Sequence, residues 1–337
     1  MQVKPANFNT KTISNFLVNN AILLLMIVVA VSVGIARPAF FSAYNAKNLI
    51  SNTSIRFLVA LGVSGCLITC GTDLSAGRMV GLSACLAATF LQRADYSGRI
   101  YANMPEPNML LVLLGVVLIA TIFGLLNGIV IAYLKVPPFI ATLGMQTIIY
   151  GICQIYTGSQ PIGGLRSDYT VGLASGSLFG ITWLPYLGLI ALVLGLIFWF
   201  VYNKTPHGKY MYAIGGNENA AEVSGINTGG TKIIIYITAA AMYGVAGFLL
   251  GGKAGGASVG LGPGYELEAI AGCTIGGVST NGGVGRVSGI LIGVLVFELL
   301  KIAMQFIGVE SNYTYIVQGI VIITAVALDM RKYAAKK

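Results

Sequence analysis

The chain has 337 residues, of which 56% are hydrophobic and only 9% are charged. Its mean hydropathy of +0.82 excludes a water-soluble protein, because so few charged side chains cannot cover a surface of this size. The composition therefore predicts a polytopic membrane protein. The formal net charge of +9 does not indicate nucleic-acid binding, since the basic residues are scattered between apolar stretches and serve membrane orientation.

Apolar segments of roughly membrane-spanning length follow one another along the chain, and we count about ten of them. The first has no small-residue cleavage site after it, so we predict a permanent helix rather than a signal peptide. We therefore expect an all-α polytopic membrane protein in which 1–337 form a single transmembrane domain. The predicted spans, of which the eighth is short, are residues 17–36, 50–70, 77–94, 110–134, 138–157, 182–202, 231–252, 267–280, 286–307 and 313–329.

The distribution of basic residues predicts the orientation. With Lys4 and Lys11 in the cytoplasm, an even number of crossings returns the basic C-terminal tail to the same side, as the preference of Lys and Arg for cytoplasmic loops requires. The polar segment 203–230 falls on that side as well. Both termini are therefore predicted to be cytoplasmic, and the basic residues of the tail are Arg331, Lys332, Lys336 and Lys337.

Two stretches rich in glycine and hydroxyl residues, Gly71–Arg78 and Gly276–Arg286, interrupt apolar runs and are followed by new helices. In transporters built from repeats, helices interrupted at matching positions flank the substrate path, because free backbone groups must face a cavity rather than lipid. The two stretches therefore indicate two related halves with at least one short or broken helix. The alternative is that both are tight cytoplasmic turns.

A few polar residues in or beside the spans are candidates to line a path. Asp73 and Arg78 flank a glycine-containing turn, where they either pair with each other or Asp73 caps the next helix. We favour capping over contact with a substrate. Glu298 and Lys301 lie one helical turn apart, where an internal ion pair is the simpler interpretation. The candidate path residues are Asp73, Ser75, Asn127, Gln146 and Glu298.

Residues 203–230 form a polar segment between two long apolar stretches. Asn219 and Glu222 have the spacing of a capping box, the residues between them favour a helix, and Gly225 is a natural stop. We predict a two-turn helix on the membrane surface, which a soluble motor would grip to move a membrane channel. The alternative is an ordinary surface loop.

Sites for metal ions, nucleotides and covalent catalysis are not predicted. The single histidine, His207, lies far along the chain from the cysteines, so a zinc site lacks ligands. No Gly-x-x-x-x-Gly-Lys-Ser/Thr motif is present. The chain is therefore predicted to be no enzyme and to hold no cofactor. All five cysteines lie in apolar or glycine-rich stretches that indicate buried free thiols: Cys66, Cys70, Cys85, Cys153 and Cys273.

Five motifs occur together in the order and spacing of a known family. They are GTDLSAGR (71–78), GLLNG (124–128), PPFIATLG (137–144), GGNENAAEVSGI (215–226) and GGVS (276–279). Over nearly its whole length the chain resembles the permeases of bacterial ATP-binding-cassette (ABC) importers for monosaccharides, the ribose, xylose, arabinose and galactose group. Within that group, residues 71–78 and 265–271 are most similar to the members that carry galactose or methyl galactoside.

The resemblance implies a transmembrane subunit that moves a monosaccharide from the periplasm to the cytoplasm across the bacterial inner membrane. It implies three partners: a second copy of the chain in a homodimer, an ATPase subunit with two nucleotide-binding cassettes that uses the ATP, and a periplasmic sugar-binding protein. The residues that it assigns to coupling with the ATPase, within the cytoplasmic loop 203–230, are Gly215, Gly216, Asn217, Glu218, Asn219, Ala220, Ala221, Glu222, Val223, Ser224 and Gly225.

Glu266 and Glu268 precede the short span on the predicted outer side. There they either contact the sugar-binding protein or cap the helix that follows, and we favour capping.

Two other functions stay open. An ion-coupled secondary sugar transporter needs ionisable groups near the middle of the membrane, and the spans offer few beyond Arg56, Glu298 and Lys301. An importer of the same family for ribose or another pentose differs only in its sugar. A permease served by an external binding protein is a poor guide to that sugar.

Overall fold

The computed structural model describes residues 21–334. Over this range the chain forms twelve α-helices and no β-strand, which confirms the predicted all-α class. Residues 17–20 of the first predicted span, Lys4, Lys11 and residues 336–337 lie outside the described range. The helices are α1 (Ala21–Ala36), α2 (Ala43–Ile68), α3 (Ala76–Phe90), α4 (Met109–Ala132), α5 (Pro138–Thr157), α6 (Tyr186–Lys204), α7 (Pro206–Gly216), α8 (Glu218–Val223), α9 (Thr228–Ala254), α10 (Tyr265–Ile275), α11 (Val287–Ile307) and α12 (Ser311–Ala334).

Six of the described helices are long and apolar enough to cross a membrane: α2, α4, α5, α6, α9 and α11. The chain is therefore a multi-pass membrane protein. α3 has 15 residues and α10 only 11, so at least one helix is short, as predicted. The total of about ten crossings stays a prediction.

The second span begins earlier than predicted. Its helix, α2, starts at Ala43 rather than near residue 50, because Ser42 caps it and accepts a hydrogen bond of 3.2 Å from the Asn45 backbone N–H. The first two turns of α2 carry polar residues such as Asn45 and Lys47. Hydropathy alone therefore placed the start too late.

The centre of the bundle is formed by α2 and α9. In the most apolar stretch of each helix, 78% of the α2 residues and 67% of the α9 residues are buried, against 22% in α4, α5 and α6. Glycines allow α9 to approach its neighbours closely. A β-carbon at Gly247 would lie 2.3 Å from the Val80 carbonyl oxygen of α3, and one at Gly124 of α4 would lie 2.5 Å from the Tyr236 carbonyl oxygen.

The connections between helices gather at two ends of the bundle. At the end that carries α8, the Gly283 N–H donates to the Ile68 carbonyl oxygen at 2.8 Å. The second interrupted stretch therefore contacts the end of α2, just before the first stretch begins. At the opposite end, isolated bridges pair Gln92 with Leu165 and Ile162 with Ala257. The two stretches therefore lie on the same side of the bundle as the polar segment 203–230.

The segment 255–264, which precedes α10, enters the bundle from the opposite end. It runs along α3, where a β-carbon at Gly262 would lie 2.3 Å from the Gly77 carbonyl oxygen and one at Gly81 would lie 2.3 Å from the Leu261 carbonyl oxygen. Gly262 has φ +105°, a conformation that glycine adopts readily. This irregular segment runs along α3 within the bundle, in space that the first turns of a longer helix would occupy. α10 is therefore short.

Candidate functional site

Helix α8 begins two residues earlier than the predicted capping box. Its N-cap is Asn217, whose backbone is extended and whose Oδ1 accepts a hydrogen bond of 2.9 Å from the Ala220 N–H. The prediction that Asn219 and Glu222 form the capping box is therefore wrong, because the helix already starts at Glu218 and Asn217 is its N-cap, accepting from the Ala220 N–H of the first turn. The stop at Gly225 is confirmed, since Gly225 follows the helix with φ +84°.

One face of α8 is directed away from the bundle. Ala221 points inward and is only 4% exposed, whereas Val223 is 90% exposed. Asn219, Ala220 and Glu222 are exposed as well. We call Asn219, Ala220, Glu222 and Val223 the outer face of α8. Small and apolar side chains with one carboxylate are suited to a contact with another protein.

The two carboxylates of α8 have different surroundings. Glu218 accepts hydrogen bonds of 2.7 and 2.6 Å from Lys232 Nζ at its two oxygens, which ties α8 to the first turns of α9. Glu222 has no ion-pair partner within residues 21–334. Glu222 is therefore the carboxylate of α8 that is available to a partner protein, while Glu218 is engaged within the chain.

Helix α7 was not predicted. Pro206 occupies its first turn and the Thr205 hydroxyl accepts a hydrogen bond of 3.3 Å from the Gly208 N–H. A capping threonine followed by proline is a known helix-start signal, so the sequence did contain the information. Gly215 and Gly216 are consequently the last residues of α7 and not part of a loop.

Gly215 connects α7 to the end of α2 and to the second interrupted stretch. A β-carbon at this position would lie 1.7 Å from the Ile68 carbonyl oxygen and 2.4 Å from the Gly283 nitrogen. We call this contact of Ile68, Gly215 and Gly283 the junction. Any displacement of α7 and α8 therefore acts directly on the last residue of α2 and on the connection between α10 and α11.

The Cys70 thiol lies at the edge of the junction. It donates to the Asn281 carbonyl oxygen at 3.1 Å and to the Gly215 carbonyl oxygen at 3.5 Å, and partial burial raises its pKa. Cys70 is exposed, whereas Cys66, Cys85, Cys153 and Cys273 are buried. The prediction of a buried thiol is wrong for Cys70, because its left-handed backbone, with φ +60°, belongs to the turn that follows α2.

Three of the five candidate path residues lie together. Asp73 Oδ1 accepts hydrogen bonds from the Ser75 N–H at 3.0 Å and from the Ser75 hydroxyl at 2.6 Å, and Asn127 of α4 donates to Ser75 Oγ at 3.1 Å. All three residues are at most 2% exposed. Asn127 Oδ1 is buried without a hydrogen-bond partner in the described part of the chain. Gln146 is half-buried on α5, outside this cluster.

Arg78 does not pair with Asp73. Its guanidinium donates to the Val259 carbonyl oxygen at 3.1 Å and lies over the Tyr150 ring, 4.1 Å from the ring centre. Arg78 therefore fastens the entering segment 255–264 to α3 and α5. The Asp73 carboxylate instead closes the turn before α3, close to the capping role that we favoured, although the N-cap residue itself is Ser75.

Glu298 lies in a second, ionic cluster between the membrane-spanning helices α2 and α11 and the short helix α10. Arg56 Nε of α2 lies 2.5 Å from Glu268 and 2.9 Å from Glu298, and Lys301 Nζ lies 2.8 Å from Glu268 and 3.9 Å from Glu298. The single N–H of Arg56 Nε donates to Glu268, so its contact with Glu298 is an ion pair without a hydrogen bond. The predicted pair of Glu298 and Lys301 is confirmed as part of a four-residue ion cluster, in which no side chain is more than 14% exposed.

Glu266 and Glu268 lie in the first turn of the short helix α10 rather than before it, and both are turned inward. Both oxygens of Glu266 accept from the Gly264 N–H, at 3.1 and 3.0 Å, and the residue is 8% exposed. This arrangement supports capping for Glu266. Glu268 does not cap α10, because it is held by Arg56 and Lys301. Contact of either residue with a sugar-binding protein stays a prediction.

The variant Asp73→Asn separates a structural from a transport role of this carboxylate. Asparagine retains the Oδ1 acceptor for both Ser75 hydrogen bonds, so we expect a thermal unfolding midpoint close to that of the wild type. Asp73→Ala loses both bonds and should cost about 1–3 kcal/mol. Unfolding of the purified variants measures this difference. An unstable Asp73→Asn protein would contradict the hydrogen-bonding scheme, and a stable variant without uptake would assign the charge itself to transport.

Comparisons with known proteins agree on the kind of protein. The family model described as the permease component of branched-chain amino acid transport systems matches residues 45–326. The chain is 42% identical over 332 residues to the galactose/methyl galactoside import permease protein of Escherichia coli strain K12, covering 98% of this chain and 99% of that protein. The protein of the same name from Haemophilus influenzae is 41% identical over 326 residues, covering 96% and 97%.

A sugar permease of a different name is also similar. The ribose import permease protein of Bacillus subtilis is 37% identical over 310 residues, which is 92% of each chain. No solved structure matches the chain. The similarity to these permeases extends over the helices that carry the junction, the ion cluster and the group of Asp73, Ser75 and Asn127.

Proposed function

The chain belongs to the permease-component family of branched-chain amino acid transport systems, and we propose that it is the membrane-spanning subunit of an ATP-driven importer for galactose or methyl galactoside. The proposed substrate is a sugar because the relatives that align over nearly the full length are named for sugars, and those at 41–42% identity for galactose and methyl galactoside. By this proposal sugar moves from the periplasm to the cytoplasm across the bacterial inner membrane.

The polar groups of the interior are consistent with a neutral substrate. The four charges of the ion cluster are paired with one another, and Asp73 is engaged by Ser75. A zwitterionic amino acid would need fixed charges that are free to bind its ammonium and carboxylate groups. Amides and hydroxyls suffice for a sugar. Asp73, Ser75, Asn127, Gln146 and Glu298 remain our proposed path residues.

Helix α5 supports a homodimer with the path beside it. α5 is as poorly buried as α4 and α6, yet it carries Gln146, Thr147, Tyr150 and Gln154 among its exposed and half-buried positions. Polar side chains are disfavoured against lipid. We therefore propose that this side of α5 faces a second copy of the chain and the sugar path.

The observation that carries the transport mechanism is the junction. The outer face of α8 is open to a soluble protein, and α7, which leads into α8, contacts Ile68 and Gly283 through Gly215. We propose that an ATPase subunit with two nucleotide-binding cassettes binds residues 215–225 and moves α7, so that the end of α2 and the connection between α10 and α11 move with it. ATP is held by that subunit and this chain needs no cofactor. The α8 end and both termini are then cytoplasmic, and 1–337 act as one permease domain.

The test is uptake of labelled galactose by proteoliposomes that contain the permease and the ATPase subunit. ATP is placed on the cytoplasmic side and the periplasmic sugar-binding protein on the other. We expect uptake only when all components are present. Uptake by the permease alone under a proton or sodium gradient would overturn the proposal in favour of a secondary transporter. Uptake of ribose but not galactose would retain the mechanism and change the sugar.

A further inference from the structure

A cavity of about 310 Å³ lies beside α8, between that helix, the connection from α4 to α5, and α9. Lys135, Val136 and Pro138 form one wall, and Glu218, Glu222 and Lys232 form the other. We call this cavity the notch. The notch is continuous with the outer face of α8, because Asn219 and Glu222 belong to both.

The wall formed by the α4–α5 connection is held in one shape. Lys135 has φ +55°, which is uncommon for a residue other than glycine. The Val136 N–H donates to the Val130 carbonyl oxygen at 3.3 Å, and Pro137 and Pro138 have fixed φ angles at the start of α5. The notch is therefore already formed in the absence of a partner, which lowers the entropic cost of filling it.

The notch contains two carboxylates and two cations, of which Glu222 and Lys135 have no ion-pair partner in the described part of the chain. Glu218 and Lys232 pair with each other at 2.6 Å. On the opposite rim, Lys135 is exposed and has no acidic partner among residues 21–334. The lining also includes the apolar residues Ile131, Val136, Pro137 and Pro138. Apolar side chains beside a cation that has no acidic partner suit an apolar side chain that is accompanied by a carboxylate.

We propose that the ATPase subunit inserts an apolar side chain into the notch and places an acidic side chain on Lys135, so that its docking surface extends from α8 to the α4–α5 connection. This proposal rests on the proposed function. This contact involves two elements, α8 and the α4–α5 connection. α8 leads to the junction, and residues 135–138 lead into α5. Movement of the ATPase is then transmitted both to the junction and to the helix that we place beside the sugar path.

The test compares two replacements at one position. Asparagine and aspartate both tolerate the left-handed backbone of Lys135, so Lys135→Asn removes the charge and Lys135→Asp reverses it with the same shape. Binding of the purified ATPase subunit to the full-length permease in nanodiscs is measured at low salt. We expect Lys135→Asp to raise the dissociation constant about tenfold and Lys135→Asn to raise it about threefold. Val136→Phe, which fills the notch, should raise the dissociation constant as well.

Two further variants make the outcome decisive. Lys209→Asp reverses an exposed basic residue of α7 that does not line the notch, and should bind within about twofold of the wild type. Ala220→Trp obstructs the outer face of α8. If Ala220→Trp loses binding while Lys135→Asp and Val136→Phe bind normally, the notch proposal is overturned and the proposed function stands. If Ala220→Trp also binds normally, docking on α8 is wrong. Unfolding midpoints equal to that of the wild type establish that each variant is folded.

Discussion

Replacement of Gly215 with alanine is expected to destabilise the permease by about 3 kcal/mol and to abolish uptake. The new β-carbon would lie 1.7 Å from the Ile68 carbonyl oxygen and 2.4 Å from the Gly283 nitrogen. These two groups are backbone atoms joined by a hydrogen bond of 2.8 Å, so neither can rotate away as a side chain would. Either α7 leaves the junction or this hydrogen bond breaks.

The neighbouring glycine supplies a matched control. Gly216 is exposed at the end of the same helix, and a β-carbon there would have no atom within 4 Å. Gly216→Ala should be neutral or stabilising by up to about 1 kcal/mol, since alanine favours helix. Thermal unfolding of the permease alone measures both variants. If Gly215→Ala is as stable as Gly216→Ala, the packing at the junction is not as described.

Local signals explain which helices the sequence predicted well. The predicted span 138–157 coincides with α5, because Pro137 and Pro138 mark its start and Gly158, with φ +58°, marks its end. The apolar lengths of α4 and α11 were equally clear. Helix α7 was not predicted because it is short and polar, although Thr205 and Pro206 form a helix-start signal.

The partners of the buried polar residues could not be predicted, because tertiary packing decides them. Asp73, Ser75, Asn127, Gln146 and Glu298 were recognisable as polar groups in apolar surroundings. The hydrogen bond from Asn127 to Ser75 joins residues 52 positions apart, and the bond from Arg56 to Glu268 joins residues 212 apart. The pair of Glu298 and Lys301 is local, at three residues' separation, and it was the one pairing predicted correctly. The hydrogen bonds between Asp73 and Ser75 are local as well, but they were not predicted.

Replacement of Arg56 with methionine is expected to cost about 3–5 kcal/mol of stability. The ion cluster holds two cations, Arg56 and Lys301, and two carboxylates, Glu268 and Glu298, so it is formally neutral. Without Arg56, two buried carboxylates share one ammonium group within membrane-spanning helices. Arg56 also lies 4.7 Å from the centre of the Tyr265 ring, and this cation–π contact is lost too. The cluster joins α2, α10 and α11, so short helix α10 should loosen from its neighbours.

A double-mutant cycle tests whether the four residues act as a unit. Glu298→Gln alone leaves an excess positive charge and should also destabilise the protein. The double variant Arg56→Met/Glu298→Gln restores neutrality and retains the pair of Lys301 and Glu268 at 2.8 Å. We therefore expect the double variant to be more stable than the sum of the single effects by at least about 1.5 kcal/mol, as measured by unfolding in detergent.

The exposed pair of Arg93 and Asp95 supplies the comparison for this cycle. Their charged atoms are 3.6 Å apart, but the side chains are 52% and 78% exposed. Water screens such a pair, so Arg93→Met should change stability by less than about 1 kcal/mol. The contrast between Arg56 and Arg93 compares a buried ion cluster with an exposed ion pair. If the effects of Arg56→Met and Glu298→Gln simply add, the two charges do not interact. The position of α10 then depends on its close packing against α11, where a β-carbon at Gly293 would lie 2.0 Å from the Gly272 carbonyl oxygen.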